Sequence, residues 1–264
     1  MKKVSILIPA RNESYLQQML SDLFKKVRGE VEVIVVLDGW WPSPTLRDNP
    51  NLTLIHRGAS QGMRSAINSA ASVAKGDYLL KCDAHCLFDE AFDEKLKVGC
   101  ESDWLIVPIR YGLNVEKWER TNEIHEFQYI HHDTLKGKDW PEYAERVNGQ
   151  PIADLMTTQG SCWFMRKELF EKIEGEDDIN YGWTGREAQE ICLKVWLSGG
   201  RCVLNRSTWY AHWSKPSTDY PERREARAKS IEYANKVWRQ NLWPKQTHPL
   251  SWLIGKFAPV PSWT

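Results

Sequence analysis

Apolar residues come in short, dense runs over the first hundred positions. The stretches "VSILI" (4–8), "VEVIVVL" (31–37), "LTLIH" (52–56) and "DYLLKC" (77–82) are short and nearly continuous, and they read as strands. Between them, Leu16, Met19, Leu20, Leu23 and Phe24 recur at helical spacing within Ser14 to Lys26. Ser60 to Ala74 is an alanine-rich helix stopped by Gly76. Strand and helix alternating through short joints predict an α/β fold, a doubly wound and mostly parallel sheet. Such sheets bind ligands beyond the carboxyl ends of their strands. Asp38 and Asp83 fall at two of those ends.

The pattern then weakens. Residues 111–157 carry many charges and little periodicity, which predicts a long loop or insertion over a cleft. Order returns with "TTQGSCWFMRKELFEKI" (157–173), strand then helix, and with a helix from Glu187 to Leu197 stopped by Gly199 and Gly200. "RCVLN" and "STWYAHW" read as two short strands, and Pro221 to Arg239 as a charged helix before a tail rich in Trp and Pro. With no repeat and no evident linker, residues 1–264 are expected to form one domain with an elaborated C-terminal half.

Composition narrows the picture little. The 35 basic and 35 acidic side chains cancel, so no global field draws the chain to nucleic acid or an anionic membrane. The longest apolar runs are far too short to span a bilayer. The opening "MKKVSILIPARNE" runs into Pro9, Arg11 and Glu13 without a cleavage site, so a first strand is expected rather than a leader. Six irregularly spaced cysteines form no disulfide framework, and reduced thiols in a cytoplasmic protein are expected.

Candidate chemistry sits in "KCDAHC" (81–86). In extended chain, residues two apart share a face, so Asp83 and His85 can meet one ligand while Cys82, Ala84 and Cys86 turn toward the packing. That geometry speaks against a zinc module built on both cysteines. An oxygen and an imidazole suit a divalent ion of the manganese type. The plain alternative is an aspartate and a histidine that merely cap local structure.

The run "NLTLIHRGASQGMRSAINSAASVAKGDYLLKCDAH" resembles the nucleotide-sugar half of GT-A glycosyltransferases, particularly family 2 and the polypeptide N-acetylgalactosaminyltransferases. Members open with a strand ending in Pro and an Asn-Glu pair, here Pro9, Asn12 and Glu13 of "ILIPARNE". A second strand ends in an acid, here Asp38, and a turn and helix follow with Arg57, Gly62 and Arg64. The Asp-x-His string at 83–86 has the galactosaminyltransferase form.

Downstream, the stretch with Gly160 resembles the family's sugar-binding wall, and "YGWTGREAQEICLKVW" its Trp-Gly-Gly-Glu block, with Trp183, Glu187 and Glu190. Trp183 stands one residue too far upstream. His212 matches the family's third metal ligand. The resemblance implies a GT-A fold with residues 1–110 as nucleotide-sugar half and 111–264 as acceptor half. It further implies Mn2+ or Mg2+ held by Asp83, His85 and His212, a UDP-sugar donor and a hydroxyl acceptor. On the residues alone, Asp38 can equally cap its loop, His212 can pack among aromatic rings, and Asn12 and Glu13 can cap the first helix.

Inverting family 2 enzymes carry a base in a Glu-Asp pair, where this chain has Glu187-Ala188. The departure leans toward retention, and Glu187 is the candidate base if the enzyme inverts. Trp163, Trp183 and Trp213 lie in the motif blocks and could shape an acceptor cleft. Arg223, Arg224, Arg227 and Lys229 on the last helix read as a solvated face, or as contacts to an anionic acceptor such as hydroxymethylated phage DNA. The rival classes are a sugar-1-phosphate nucleotidylyltransferase, a non-catalytic nucleotide-binding module and a zinc-binding structural protein. "PARNESYLQ" lacks the glycine-rich loop of the first.

Overall fold

The continuous apolar runs become the centre of a ten-stranded sheet. In the computed structural model the described residues are 2–182, 185–215 and 221–263. Strand β1 (Val4–Ala10) lies parallel to β2 (Val31–Asp38), whose eight residues are all buried. Helix α1 (Leu16–Lys26) links them, and its Leu16, Met19, Leu20 and Leu23 supply the apolar stripe that holds it on the sheet. Strand β3 (Leu52–Arg57) adds outside β2, and α2 (Met63–Val73) crosses back to β4 (Tyr78–Cys82) on the far side of β1. The order β3-β2-β1-β4 reverses direction at β1, which opens a crevice at the carboxyl ends of β1 and β4.

Beyond β4 the sheet becomes mixed, with antiparallel and parallel pairs side by side. After β5 (Cys86–Phe88) and α3 (Phe92–Lys97), β6 (Trp104–Asn114) and β7 (Glu119–His125) form an antiparallel pair. Strands β8 (Gln128–Ile130) and β9 (Gly137–Asp139), helix α4 (Pro141–Arg146) and β10 (Ile152–Asp154) follow. The segment expected to be a long loop is therefore mostly structured. It hid because β7 is largely exposed and polar, and is held by ladder bonds to β6 rather than by an apolar face.

Strand β11 (Cys162–Arg166) wedges antiparallel between β4 and β6, and α5 (Lys167–Lys172) continues from it. Helix α6 (Glu187–Leu197) is buried from Ala188 to Leu197 and leads into β12 (Arg201–His212). Two short strands were expected here. One long strand runs through, parallel to β6, with a register irregularity between Asn205 and Trp209. Helix α7 (Pro221–Arg239) and α8 (Leu250–Phe257) close the chain. One apolar core lies under α2 and α6, and a second lies under α1 and α3 on the opposite face of the sheet.

Candidate active site

Asp83 leaves the end of β4 with its N–H bonded to Ser161 O (2.9 Å). Residues 83–85 form a tight turn between β4 and β5 rather than the extended chain expected. Cys82, Ala84 and Cys86 are at most 1% exposed, and the turn still gathers Asp83 and His85 beside His212. His212 ends β12 opposite Cys86 in the ladder, and Trp213 N–H caps His85 O at 3.2 Å. These pairings bring one ligand atom each from Asp83, His85 and His212 within 4.8 Å of one another.

Proton positions follow from the neighbours. Glu13 Oε2 lies 2.9 Å from His85 Nδ1, and a carboxylate accepts, so Nδ1 carries a proton and Nε2 is the nitrogen left for a ligand. This is the outer partner that a ligating imidazole needs. Lys215 steadies Glu13 in turn, donating to its Oε1 (3.0 Å) and to Asn12 O (2.7 Å). Arg110 Nη2 donates to His212 Nδ1 (3.1 Å), so His212 Nε2–H faces Asp83 Oδ2 at 3.1 Å.

Burial works against the Asp83 anion, but Lys81, His212 and His85 outweigh it and hold the carboxyl far below the usual range. Burial pushes the His212 imidazole down, against the pull of Asp83. One carboxylate and two imidazoles make a mixed oxygen–nitrogen donor set that fits a borderline divalent ion. The thiols take no part: burial drives Cys82 and Cys86 well above their ordinary range.

Lys81 was not singled out from the sequence. Its ammonium, 1% exposed, donates to Asp83 Oδ1 (2.5 Å) and Gly160 O (2.6 Å), tying the end of β4 to the loop before β11. The available signal was a lysine inside the apolar run "YLLKC". Gly160 itself has φ +82°, and a Cβ there would stand 3.0 Å from Ala188 Cβ, so only glycine lets this loop meet α6.

A second group gathers at the start of α6. Arg64, fully buried, donates from Nε to Glu190 Oε2 (2.6 Å) and from Nη2 to Gly185 O (2.6 Å). Glu190 Oε1 accepts from Lys194 Nζ (2.8 Å) and Asp177 N (2.6 Å). Burial disfavours the Arg64 cation, yet Glu190, Glu187 and Glu176 raise its pKa above the usual value. Glu187 Oε1 accepts from Gly185 N (2.6 Å) and lies 3.8 Å from Arg64 Nη1. Trp183 lies outside the described residues.

A third group stands apart. Asp38 Oδ1 accepts from Arg57 Nη1 (3.0 Å) and Gln61 N (2.9 Å), and Oδ2 from Ser60 Oγ (2.6 Å) and Gly62 N (2.9 Å). Four donors fill the lone pairs of a carboxylate. Arg57 is equally engaged, by Asp38, Ser65 and Ser69. Pro9 remains in β1, beside Val36 of β2.

Among the tryptophans, Trp163 is 1% exposed and stacks on Phe170, which makes it core. Trp213 meets His85 and Tyr15 edge-on at the rim, with Trp118 on the other side of Tyr15. On α7, Lys229 pairs with Glu225 on an exposed face. Arg224 and Arg227 are exposed as well, and the side chain of Arg223 lies outside the described residues.

Comparison with known proteins places these features in context. The model of glycosyl transferase family 2 matches residues 5–174. Human polypeptide N-acetylgalactosaminyltransferase 12 is 24% identical over 264 residues, spanning 89% of this chain and 43% of its own length. The probable N-acetylgalactosaminyltransferase 8 of Caenorhabditis elegans is 24% identical over 192 residues, 67% of this chain and 44% of that protein. The chain thus spans less than half the length of these relatives.

The crystal structure of GalNAc-T7 with UDP, GalNAc and Mn2+ superposes with a TM-score of 0.74 at 15% identity, over 98% of this chain and 57% of that one. S. aureus TarS 1–349 in complex with UDP-GlcNAc superposes with 0.58 at 16%, over 90% and 73%. At such identity the likeness is one of fold, and the fold is the GT-A α/β sheet.

Proposed function

We propose, from the premise that this chain belongs to glycosyl transferase family 2, that it moves a sugar from a UDP-sugar to a hydroxyl-bearing acceptor, with Mn2+ or Mg2+ at Asp83, His85 and His212. The observation that carries this is the convergence of those three side chains, with Glu13 already presenting His85 through Nε2. The relatives are named as N-acetylgalactosaminyltransferases, and the structural neighbours carry UDP with Mn2+ or UDP-GlcNAc, which supports the donor class.

A bound divalent ion would supply charge compensation for the departing diphosphate. The chain's own residues do the rest. Asp83 offers Oδ2 because Lys81 occupies Oδ1. Ligation through His212 Nε2 requires its proton on Nδ1, so Arg110, which can only donate, has to turn from that nitrogen. Asp38 acts here as the fastener of the 57–62 turn, through which the nucleotide-facing loop is shaped.

Glu187, held by Gly185 and Arg64, suits the holding of sugar hydroxyls better than removal of an acceptor proton, which favours retention. The partly buried rings of Tyr15, Trp118 and Trp213 beside His85 suit stacking on an acceptor sugar. We favour a glycan or glycoprotein acceptor over DNA on the strength of these rings; on α7, Lys229 is already paired with Glu225. We read the whole chain as a single GT-A domain, because β11 and β6 extend the sheet of the first half without a break.

The test is a screen of nucleotide-sugars for Mn2+-dependent donor hydrolysis, with an Asp83→Ala/His85→Ala double variant alongside. UDP release from one donor, lost in the variant, is the expected result. No hydrolysis and no metal-dependent nucleotide binding would sink the reading. The anomeric configuration of the product, read by NMR, decides retention.

A further inference from the structure

Close to the Lys81–Gly160 contact lies a carboxyl that its surroundings leave unanswered. Glu176, in the loop between α5 and α6, is 3% exposed, and its Oε2 is buried without a hydrogen-bond partner. Its backbone is pinned: the Asn68 side chain accepts from Glu176 N (3.1 Å) and donates to Glu176 O (2.7 Å). The side chain is therefore carried at a fixed depth into the molecule.

The charged groups it faces are Glu190, Arg64, Lys81 and Glu187. Arg64 gives Nε to Glu190 and Nη2 to Gly185, while its Nη1 is a second buried atom without a hydrogen bond. The Lys81 ammonium has three N–H groups and uses two, on Asp83 and Gly160. A buried acceptor and two under-used donors thus lie near enough to act on one another electrostatically. Unpaired buried polar atoms are destabilising and rare in a settled fold, and a group from outside the chain is one way to satisfy them.

We propose that Glu176 reads a hydroxyl of the donor sugar, with the Lys81 ammonium and Arg64 Nη1 as the donors that complete the contact. This rests on the glycosyl-transfer reading, which sets the sugar against Gly160 and Glu187. Burial, with Glu190 next, pushes the Glu176 carboxyl up to about 8, so near neutral pH it carries its proton. A neutral carboxyl both donates and accepts, and so does an alcohol. Sites with buried groups that await a substrate hydroxyl reject the analogue that lacks it, because those groups are then left unpaired. Glu176 is accordingly a specificity-determining residue, distinct from the metal ligands and from Glu187.

The experiment measures two quantities on the same samples: UDP affinity with Mn2+ by calorimetry, and kcat/KM for donor hydrolysis over epimeric and deoxy UDP-sugars. The proteins are wild type, Glu176→Gln, which keeps the shape, and Glu176→Leu. Glu176→Leu should lower kcat/KM for the preferred donor at least ~100-fold, while its UDP affinity stays within about threefold of wild type. The preference over the matching deoxy donor should collapse toward unity, with Glu176→Gln intermediate. Unchanged donor preference in both variants overturns the inference and leaves Glu176 structural. So does a loss that strikes UDP and every donor alike. A wild-type protein that binds no UDP sinks the donor reading itself.

Discussion

Asp38 and Asp83 occupy equivalent places: each ends a parallel strand, β2 or β4, on either side of β1. Their surroundings differ. Asp38 is 4% exposed and its two oxygens take four donors, three of them from the Ser60–Gly62 turn. Asp83 has Lys81 on one oxygen and His212 on the other, with His85 Nε2 open beside it. A saturated carboxylate fastens its own loop, whereas one left open beside imidazoles can hold an ion. The strand-end position is common to both, and the partners decide the outcome.

The strongest way to break the comparison is Asp83→Ala/His85→Ala. Removing two of three donors should lower Mn2+ affinity by more than the 10–100-fold typical of losing an outer-shell partner alone, read by calorimetry or by the EPR signal of free Mn2+. Melting should stay cooperative but move to lower temperature, since the buried Lys81 ammonium loses its counter-charge.

Glu176 extends the comparison to a third carboxyl, one with almost no stabilising partners. Its folded pKa of about 8 lies above the unfolded value, so the native state holds the proton more tightly. Its contribution to stability is full below about pH 4 and is lost as pH rises toward the folded pKa. The full loss is on the order of 5 kcal/mol at the usual ~1.4 kcal/mol per unit. Urea unfolding at pH 5 and pH 8 should show wild type weakening over that interval and Glu176→Gln weakening less.

Asp38→Asn puts an amide N–H₂ against donors. A cost of about 2 kcal/mol is expected from hydrogen bonds to a charged group, seen as a lower urea midpoint, with Mn2+ affinity unchanged. The smallest effect belongs to Glu13→Gln, which keeps an acceptor for His85 but removes the charge. About tenfold weaker Mn2+ binding is expected, with urea stability close to wild type.

How much of this could be read from the chain depends on where each residue's partners lie. The central strands were legible because "VEVIVVL" is buried on both faces. Asp83 and His85 were legible as a pair, although a turn between β4 and β5, and not alternation within one strand, brings them together. Strand β7 was not, since its polar residues gain their order only from β6. The saturation of Asp38 depends on a turn some twenty residues downstream folding back over β2, which no local pattern announces. Lys81, Arg110 and Glu176 are charged residues whose meaning appears only when separate strands and loops meet. Trp163 misled for the opposite reason, as a motif neighbour that faces the core.

The six cysteines described as packing have a practical consequence. All are buried, and burial raises Cys82, Cys86, Cys162 and Cys202 well above the ordinary thiol range and Cys100 to about 11. A folded molecule therefore presents almost no thiolate to an alkylating reagent. Labelling has to wait for the chain to open, so its rate becomes a clock for breathing motions. Cys100, just beyond α3, times the opening of a margin, whereas Cys82 and Cys162, paired across β4 and β11, time the parting of the central sheet.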